Sequence, residues 1–464
     1  MNRSADFSAG AANETRRAFE ADKARLVDAM GADAGNSPPA LSKKTSNLFR
    51  SRNRSQSRRL PRVGMNQVLR IEPDAGWAEV AGLTPYETFV REALPHGVMP
   101  AVVPELKSIT VGGALAGGGI ESSSFKFGYV HETALALEVL TGDGNVMFCT
   151  PDNENRDLFF GLPNSYGTLG YVLRAWMRVV AVEPFVELRH EVHRDPREGL
   201  ARIAHLCAEN REPEAEVDFI DASWFGDAKG MVITTAAFTR EASEVSDYKG
   251  MRIYYQSLLR KTGDLLTTED YIWRWDTDWF WCSRAFGMEN PLIRAPMAAL
   301  GALRSTTYWK IRSLLEKSGV LALLDRIRPA EFVIQDVEIP TDRGDEFLEF
   351  FDREVGILPV WICPAQSPEP GARFSLFEMN AEKLYLNFGF WSSVPGRHAP
   401  GHHNRLIENM VCKLGGRKSL YSSSYFPEDE FWKIYNRPAY DALKQRHDPR
   451  NRLRDLYEKC VKGM

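Results

Sequence analysis

Between positions 110 and 128 the chain reads TVGGALAGGGIESSSFKFG. It holds six glycines (Gly112, Gly113, Gly117, Gly118, Gly119 and Gly128) and four hydroxyl residues (Thr110, Ser122, Ser123 and Ser124). Glycine loses more entropy on folding than any other residue and packs no side chain. Such a cluster survives where backbone turns hard or approaches something closely, whether a neighbouring strand or a ligand. The flanking hydroxyls suit phosphate oxygens, and a second small-residue loop, NSYGTLG at 164–170, precedes a strand-like stretch. Two such loops point to a long anionic cofactor lying along backbone N–H groups. A Rossmann fingerprint is excluded: Gly117 and Gly119 supply G-x-G, but Ser122 stands at the third glycine position, and SSSFKFG leads toward a strand. A Walker loop is excluded as well, because no G-K-[ST] follows.

The elements around these loops read as mixed helix and sheet. Residues 14–30 carry Phe19, Leu26, Val27 and Met30 at helical spacing. The segment that follows, to about 60, is rich in Lys and Arg with no acid after Asp33, as in a solvated basic loop or one that meets phosphate. Residues 66–82 alternate around a turn at Pro73–Gly76, a hairpin signal. Thr84, Pro85 and Glu87 predict a capped helix start. ALALEVLTGDGNVMFCT predicts a second hairpin about Asp143–Gly144. From 185 to 415, strand-like stretches (EVDFIDASWF, EFVIQDVEIP, KLYLNFGFW) alternate with helical ones, predicting an antiparallel sheet with helices on one face. The C-terminal end reads as helical.

Composition sets the class. The chain has 464 residues, 44% hydrophobic and 26% charged, with a net charge of −4. That is ordinary for a globular protein and gives no basic domain for nucleic acid. Six scattered cysteines form no C-x-x-C or Cys/His cluster, so no metal site is expected. The first residues lack the apolar core of a signal peptide, and no run of about 18 apolar residues appears. The expectation is a cytoplasmic protein, with room for peripheral contact at the cytoplasmic membrane face.

VVPELKSITVGGALAGGGIESSSFKFG, LTGDGNVMFCTP, DLFFGLPNSYGTLGYVLRAWMRVV and, further on, EFVIQDVEIP, LPVWICP and SLYSSSYFPEDEFWKIY together resemble the vanillyl-alcohol oxidase (PCMH-type) flavoproteins. Within these they resemble the Δ24-sterol reductase family and bacterial relatives that act on methylene-branched fatty acyl lipids. The resemblance implies an α+β fold with four parts: an N-terminal helix and linker (1–40), a PCMH-type FAD-binding domain (41–185), a substrate or cap domain with an antiparallel sheet and helices (186–420), and a C-terminal helical segment returning to the FAD domain (421–464). It also implies FAD held by Thr110, Val111, Gly112, Gly113, Gly117, Gly118, Gly119, Ile120, Ser122, Ser123 and Gly128 from one side, and by Gly167, Thr168 and Gly170 from the other. SKKTSNLFRSRNRS has no histidine where some relatives bond the flavin, which implies non-covalent FAD.

The chemistry expected is reduction of an isolated C=C bond in a lipid. An unactivated alkene must be protonated as hydride arrives at the more substituted carbon, so the site needs an acid. The acid candidates are Glu121 and Asp336; Tyr421 and Tyr425 are weaker catalytic candidates, for orienting substrate. The same fold also runs as a lipid dehydrogenase or oxidase, or as an inactive lipid-binding flavin protein. No second nucleotide fold is seen, so NAD(P)H would visit transiently or a redox partner would deliver electrons; a lipid methyltransferase is a further expected partner. Trp273, Trp275, Trp279 and Trp281 read as a helical core stripe or a tunnel lining. The stretch 291–329, with seven Lys/Arg against Glu316 and Asp325, reads as a basic amphipathic helix of the kind that meets anionic lipid.

Overall fold

The structure is a computed structural model that describes residues 3–31, 37–43, 48–50, 57–211, 216–241, 243–319 and 326–463. A long helix, α1 (Arg3–Gly31), leads in, and its Phe19, Leu26 and Met30 are buried. The first sheet comprises β1 (Val68–Glu72), β2 (Trp77–Ala81), β3 (Val98–Pro100), β4 (Ala134–Thr141), β5 (Val146–Cys149) and β6 (Gly170–Ala181). Its order is β1-β2-β6-β4-β5, with β3 also on β6, and every pairing is antiparallel. Both predicted hairpins form, β1–β2 and β4–β5. Against this sheet lie α2 (Tyr86–Ala93) and α3 (Val111–Gly117).

The second sheet has eight strands. They are β7 (Phe185–His193), β8 (Phe219–Trp224), β9 (Met231–Thr239), β10 (Gly263–Thr267), β11 (Ala330–Pro340), β12 (Val360–Ala365), β13 (Tyr385–Pro395) and β14 (Arg417–Lys418). The order is β10-β7-β9-β8-β12-β13-β11-β14, antiparallel throughout. Side chains alternate between faces at period two, and here the alternation separates core from site. Ile220, Ala222, Ile362, Val337 and Phe388 join Ile203 of α4 (Pro196–Glu209) and Phe347, Phe351 and Ile407 of the other covering helices in one apolar cluster. Phe219, Trp361 and Cys363, on the opposite face, join the cluster that runs to the first sheet.

Three local expectations change. Thr84 does not cap α2: its hydroxyl donates to Gln67 O at 3.0 Å, and Glu87 pairs with Arg304. The first N–H groups of α2 are met instead by the segment just before α3, Tyr86 N by Ile109 O and Glu87 N by Lys107 O. The glycine run is partly helical, since α3 occupies Val111–Gly117 with Thr110 at its N-cap, accepting from Gly113 N at 3.3 Å. The tryptophan-rich stretch forms no long helix: α-helix covers only Thr268–Ile272, and the chain then breaks at Trp279 (φ 48°) and Phe280 (φ 58°), both left-handed. All four tryptophans are buried.

Residues beyond 421 pack back on the first sheet's side of the molecule. Leu443, on the helix Arg437–His447, seats on Gly161, and Lys444 Nζ donates to Thr168 O at 3.2 Å. Gly82 is a keystone of that side. A Cβ there would run into the Val172 carbonyl oxygen, while Gly82 O accepts from Gly112 N at 2.8 Å. Gly82→Ala is expected to cost about 1–3 kcal/mol through overpacking against fixed backbone, read as a lowered melting temperature.

Candidate functional site

A cavity of about 480 Å³ lies between the glycine run and the inner face of the second sheet. One grouping on its wall is cationic: Lys43, Arg59, Arg454 and Lys459, with the Ser57 hydroxyl held by Arg454 at 3.0 Å. Burial, then neighbouring Arg50, lowers the Lys459 ammonium to about 7, and its Nζ donates to Tyr166 O at 2.7 Å. The other grouping is aromatic and acidic: Trp279, Phe280, Trp361, Trp391, Asp336, Glu338 and Tyr421. Backbone strain gathers here. Asn164, Tyr166, Trp279 and Phe280, four of the six non-glycine residues with positive φ among the described residues, all wall the cavity, as expected of a site held by its surroundings.

The glycines divide between the two roles open from sequence. Gly112 is required by packing, since a Cβ would sit 2.8 Å from Gly82 O; Gly119 is too, with Val130 at 2.9 Å. A Cβ on Gly117 would press the Tyr166 ring at 3.1 Å. Gly118 differs: it adopts φ 77°, ends α3 and faces open cavity, with Ser419 Oγ the nearest atom at 3.7 Å from its would-be Cβ. Among the described residues, the N–H groups of Gly118, Gly119 and Ile120 have no hydrogen-bond partner, whereas those of Val111, Gly112 and Gly113 are spent on Thr84 O, Gly82 O and Thr110 Oγ1. The free donors therefore stand at the C-terminal end of the run.

Thr110, Gly112, Gly113, Gly117, Gly118, Gly119, Ile120, Gly167 and Gly170 all reach the cavity wall. Val111, Ser122, Ser123, Gly128 and Thr168 do not. Val111 is core. Ser122 Oγ bonds Glu121 Oε1 at 2.6 Å and Ser123 Oγ bonds Ala101 O at 2.7 Å, so neither hydroxyl serves a phosphate. Gly128 packs on Glu132, and Thr168 Oγ1 bonds Ser165 O at 2.8 Å. Tyr425 lies away from the cavity, under Arg405.

Glu121 also stands off the wall. Its carboxylate accepts from Arg274 Nη2 at 2.9 Å. The same buried guanidinium meets Glu105 at 2.9 Å and Asp221 at 3.0 Å, with the Tyr271 ring 4.1 Å away. Burial, opposed by Arg274 and reinforced by Glu121, holds the Glu105 carboxyl well above the usual range, and burial raises Asp221. Glu121 thus joins the glycine run to β8 through Arg274 and does not face the cavity.

Asp336 and Tyr421 are brought together. Burial pushes the Asp336 carboxyl up to about 6, against hydrogen bonds from Asn387 and Tyr421. Asn387 Nδ2 donates at 3.1 Å, and Trp391 Nε1 donates to the Tyr421 hydroxyl at 2.8 Å. Glu338, two residues along β11, shares the cavity face, and burial with nearby Asp336 holds it well above the usual range. Glu338 was missed in the sequence although its alternation with Asp336 in VIQDVEIP placed it there. Lys459, Arg454 and Trp391 carried no local signal, whereas Arg59 lies in the basic stretch whose composition already suited phosphate. The cationic grouping, the free N–H row and the unpartnered buried Asn164 Oδ1 and His131 Nδ1 on the wall fit a dinucleotide with a polar ring system. No group of three His, Cys, Asp or Glu among the described residues could hold a metal.

Comparison with known proteins agrees with this geometry. Residues 59–150 match the FAD binding domain family. Over 420 residues the chain is 28% identical to the Delta(24)-sterol reductase of Homo sapiens, covering 86% of this chain and 75% of that one. It is 26% identical over 403 residues to a Delta(24)-sterol reductase homolog of Caenorhabditis elegans, covering 80% of this chain and 72% of that one. A shorter match, 33% over 105 residues, covers 23% of this chain and 19% of Cytokinin dehydrogenase 5 of Arabidopsis thaliana.

Two outcomes are expected. Arg274→Met leaves three buried carboxylates uncompensated and costs about 3–5 kcal/mol at pH 7 by denaturant unfolding. The loss shrinks as pH falls, because protonation of the raised Glu105 and Asp221 removes the unpaired charge. Gly118→Val forces a branched residue into φ 77° and lowers the flavin-to-protein absorbance ratio of the purified protein.

Proposed function

We propose, from the premise that this chain is an FAD-dependent oxidoreductase with a PCMH-type FAD-binding domain, that it reduces an isolated C=C bond in a lipid chain with Asp336 and Tyr421 as the proton source. The carrying observation is the Asp336–Tyr421 pair on an otherwise aromatic cavity wall. The relatives named as sterol reductases support a C=C substrate. The aromatic lining accepts a branched or unsaturated acyl chain in phospholipid as well as a sterol-like side chain, and the acyl chain is our reading. FAD, once bound, supplies hydride chemistry. Lys43, Arg59, Arg454 and Lys459 would hold its phosphates, and the Gly118–Ile120 donors its polar ring edge. We take it to be non-covalent.

The chain's own residues manage the proton. Trp391 fixes the Tyr421 hydroxyl by donating to its oxygen, which leaves the Tyr421 proton directed at Asp336. Asn387 holds the other side of the Asp336 carboxyl. Protonated Asp336 or Tyr421 delivers to the less substituted alkene carbon, and the aromatic walls keep water from the cationic carbon so formed. Glu338, whose carboxyl burial and nearby Asp336 hold well above the usual range, stands beside Asp336 as a further proton holder. The same Asp336, ionised above about 6, is also a base, which is the observation favouring the reverse, dehydrogenating direction as the second reading.

Asp336→Asn is expected to lower kcat by about 10²–10⁴ with flavin content unchanged. In the wild type the acid form is the active one, so kcat is flat below pH 6 and declines as pH rises through about 6. Asp336→Asn abolishes that limb, and a wild-type rate in this variant would remove the assignment. Anaerobic NADPH, or a photoreduced flavin followed by lipid alkene, separates the directions: bleaching and re-oxidation by alkene supports reduction, while rapid re-oxidation by O₂ alone supports an oxidase. After acid precipitation, yellow colour in the supernatant is expected for non-covalent flavin.

A further inference from the structure

Two helices cover the aromatic end of the cavity, α5 (Pro291–Ala299) and α6 (Ser305–Lys317). Here α5 and α6 lie between β10 and β11 in the chain. Their inner faces are anchored. Arg294 is buried on Asp278, at 2.6 Å, and Met297, Ala298, Leu303, Tyr308 and Trp309 pack with Trp279 and Leu106. Trp279, Leu106 and Phe49 wall the cavity as well, and Phe49 stacks on Trp279 (ring centroids 5.5 Å apart) and meets Trp309 at a tilt (4.7 Å). A single aromatic layer therefore separates the helix pair from the cavity.

Their outer side is unusually apolar. Among the described residues, six of the eleven exposed large apolar side chains fall between 292 and 332: Leu292, Ile293, Leu300, Leu314, Ile327 and Phe332. Leu292 is 85% and Leu300 79% exposed, more than scatter on a monomer surface explains. Among the described residues of the same stretch, Lys310, Lys317, Arg326 and Arg328 are exposed against one exposed acid, Glu316. Apolar side chains interleaved with cations suit an interface where chains enter the acyl boundary and cations meet anionic headgroups.

We propose that the α5–α6 face docks on an anionic lipid bilayer and hands a lipid chain to the cavity through the Phe49–Trp279–Trp309 layer. The handover rests on the lipid-substrate reading; the docking does not. Among the described residues no helix is long and apolar enough to cross a membrane, so the contact is at the surface.

The test is co-sedimentation of the flavin-loaded protein with vesicles of phosphatidylcholine and phosphatidylglycerol in equal parts, against pure phosphatidylcholine. Binding to the anionic vesicles at low salt, weakened by added salt, is expected. Leu300→Ser/Leu314→Ser and Lys310→Glu/Lys317→Glu should each weaken it about tenfold or more. These side chains are at the surface, and unchanged melting temperature and flavin content verify folding. Wild-type protein that stays in the supernatant, or variants that bind as wild type, overturn the proposal. So does a solution dimer that these variants dissociate, which would make the face an interface between copies. Alkene turnover separates the two readings. Reduction in detergent micelles without vesicle binding defeats the docking alone, whereas vesicle binding with no lipid alkene reduced in either setting defeats the function alone.

Discussion

Arg274 is the charge on which the arrangement of the site depends. It is buried and meets three carboxylates, from the segment before α3 (Glu105), the glycine run (Glu121) and β8 of the second sheet (Asp221). A lone guanidinium could not remain there, and three lone carboxylates could not either. Together they fix the distance between the glycine wall and the second sheet, and so the width of the cavity between them. Such a cluster adds little net stability over apolar packing; what it supplies is one arrangement instead of several. Trp361 Nε1, donating to Asp221 at 3.2 Å, extends the same fixation to the aromatic wall.

Much of the scaffold was readable because its signals are local. Period-two alternation in the hairpins and in VIQDVEIP set strand faces, and that alternation put Asp336 on the cavity side. The glycine run announced itself through an entropic cost with no compensating side chain. Its division of labour was not readable. Gly112 and Gly119 answer to Gly82 and Val130, and only Gly118 to open space. The nearby hydroxyls misled for a related reason, since Ser122 and Ser123 had closer buried partners than any phosphate.

What the sequence hid is long-range. Glu121 looked like an acid beside a cofactor loop because Arg274, which claims it, lies 153 residues away. Thr84 and Glu87 had the spacing of a capping box, but the backbone before α3 satisfied the same N–H groups first. The left-handed pair Trp279–Phe280 broke a stretch whose composition favoured helix, and no propensity marks such a break in a non-glycine residue. Arg454 and Lys459 had no motif around them; only the return of the C-terminal helices gives them a role.

That return has a consequence for the order of assembly. The first sheet is built entirely from residues 68–181, so its strands can pair once that part of the chain exists. Tyr421, Arg454 and Lys459, by contrast, come from a stretch made well after that sheet. During translation the glycine wall is therefore made early and stands as an open half-shell. The cavity is complete only once residues 421–459 have joined that wall, and until they do an apolar trough stands open to other chains.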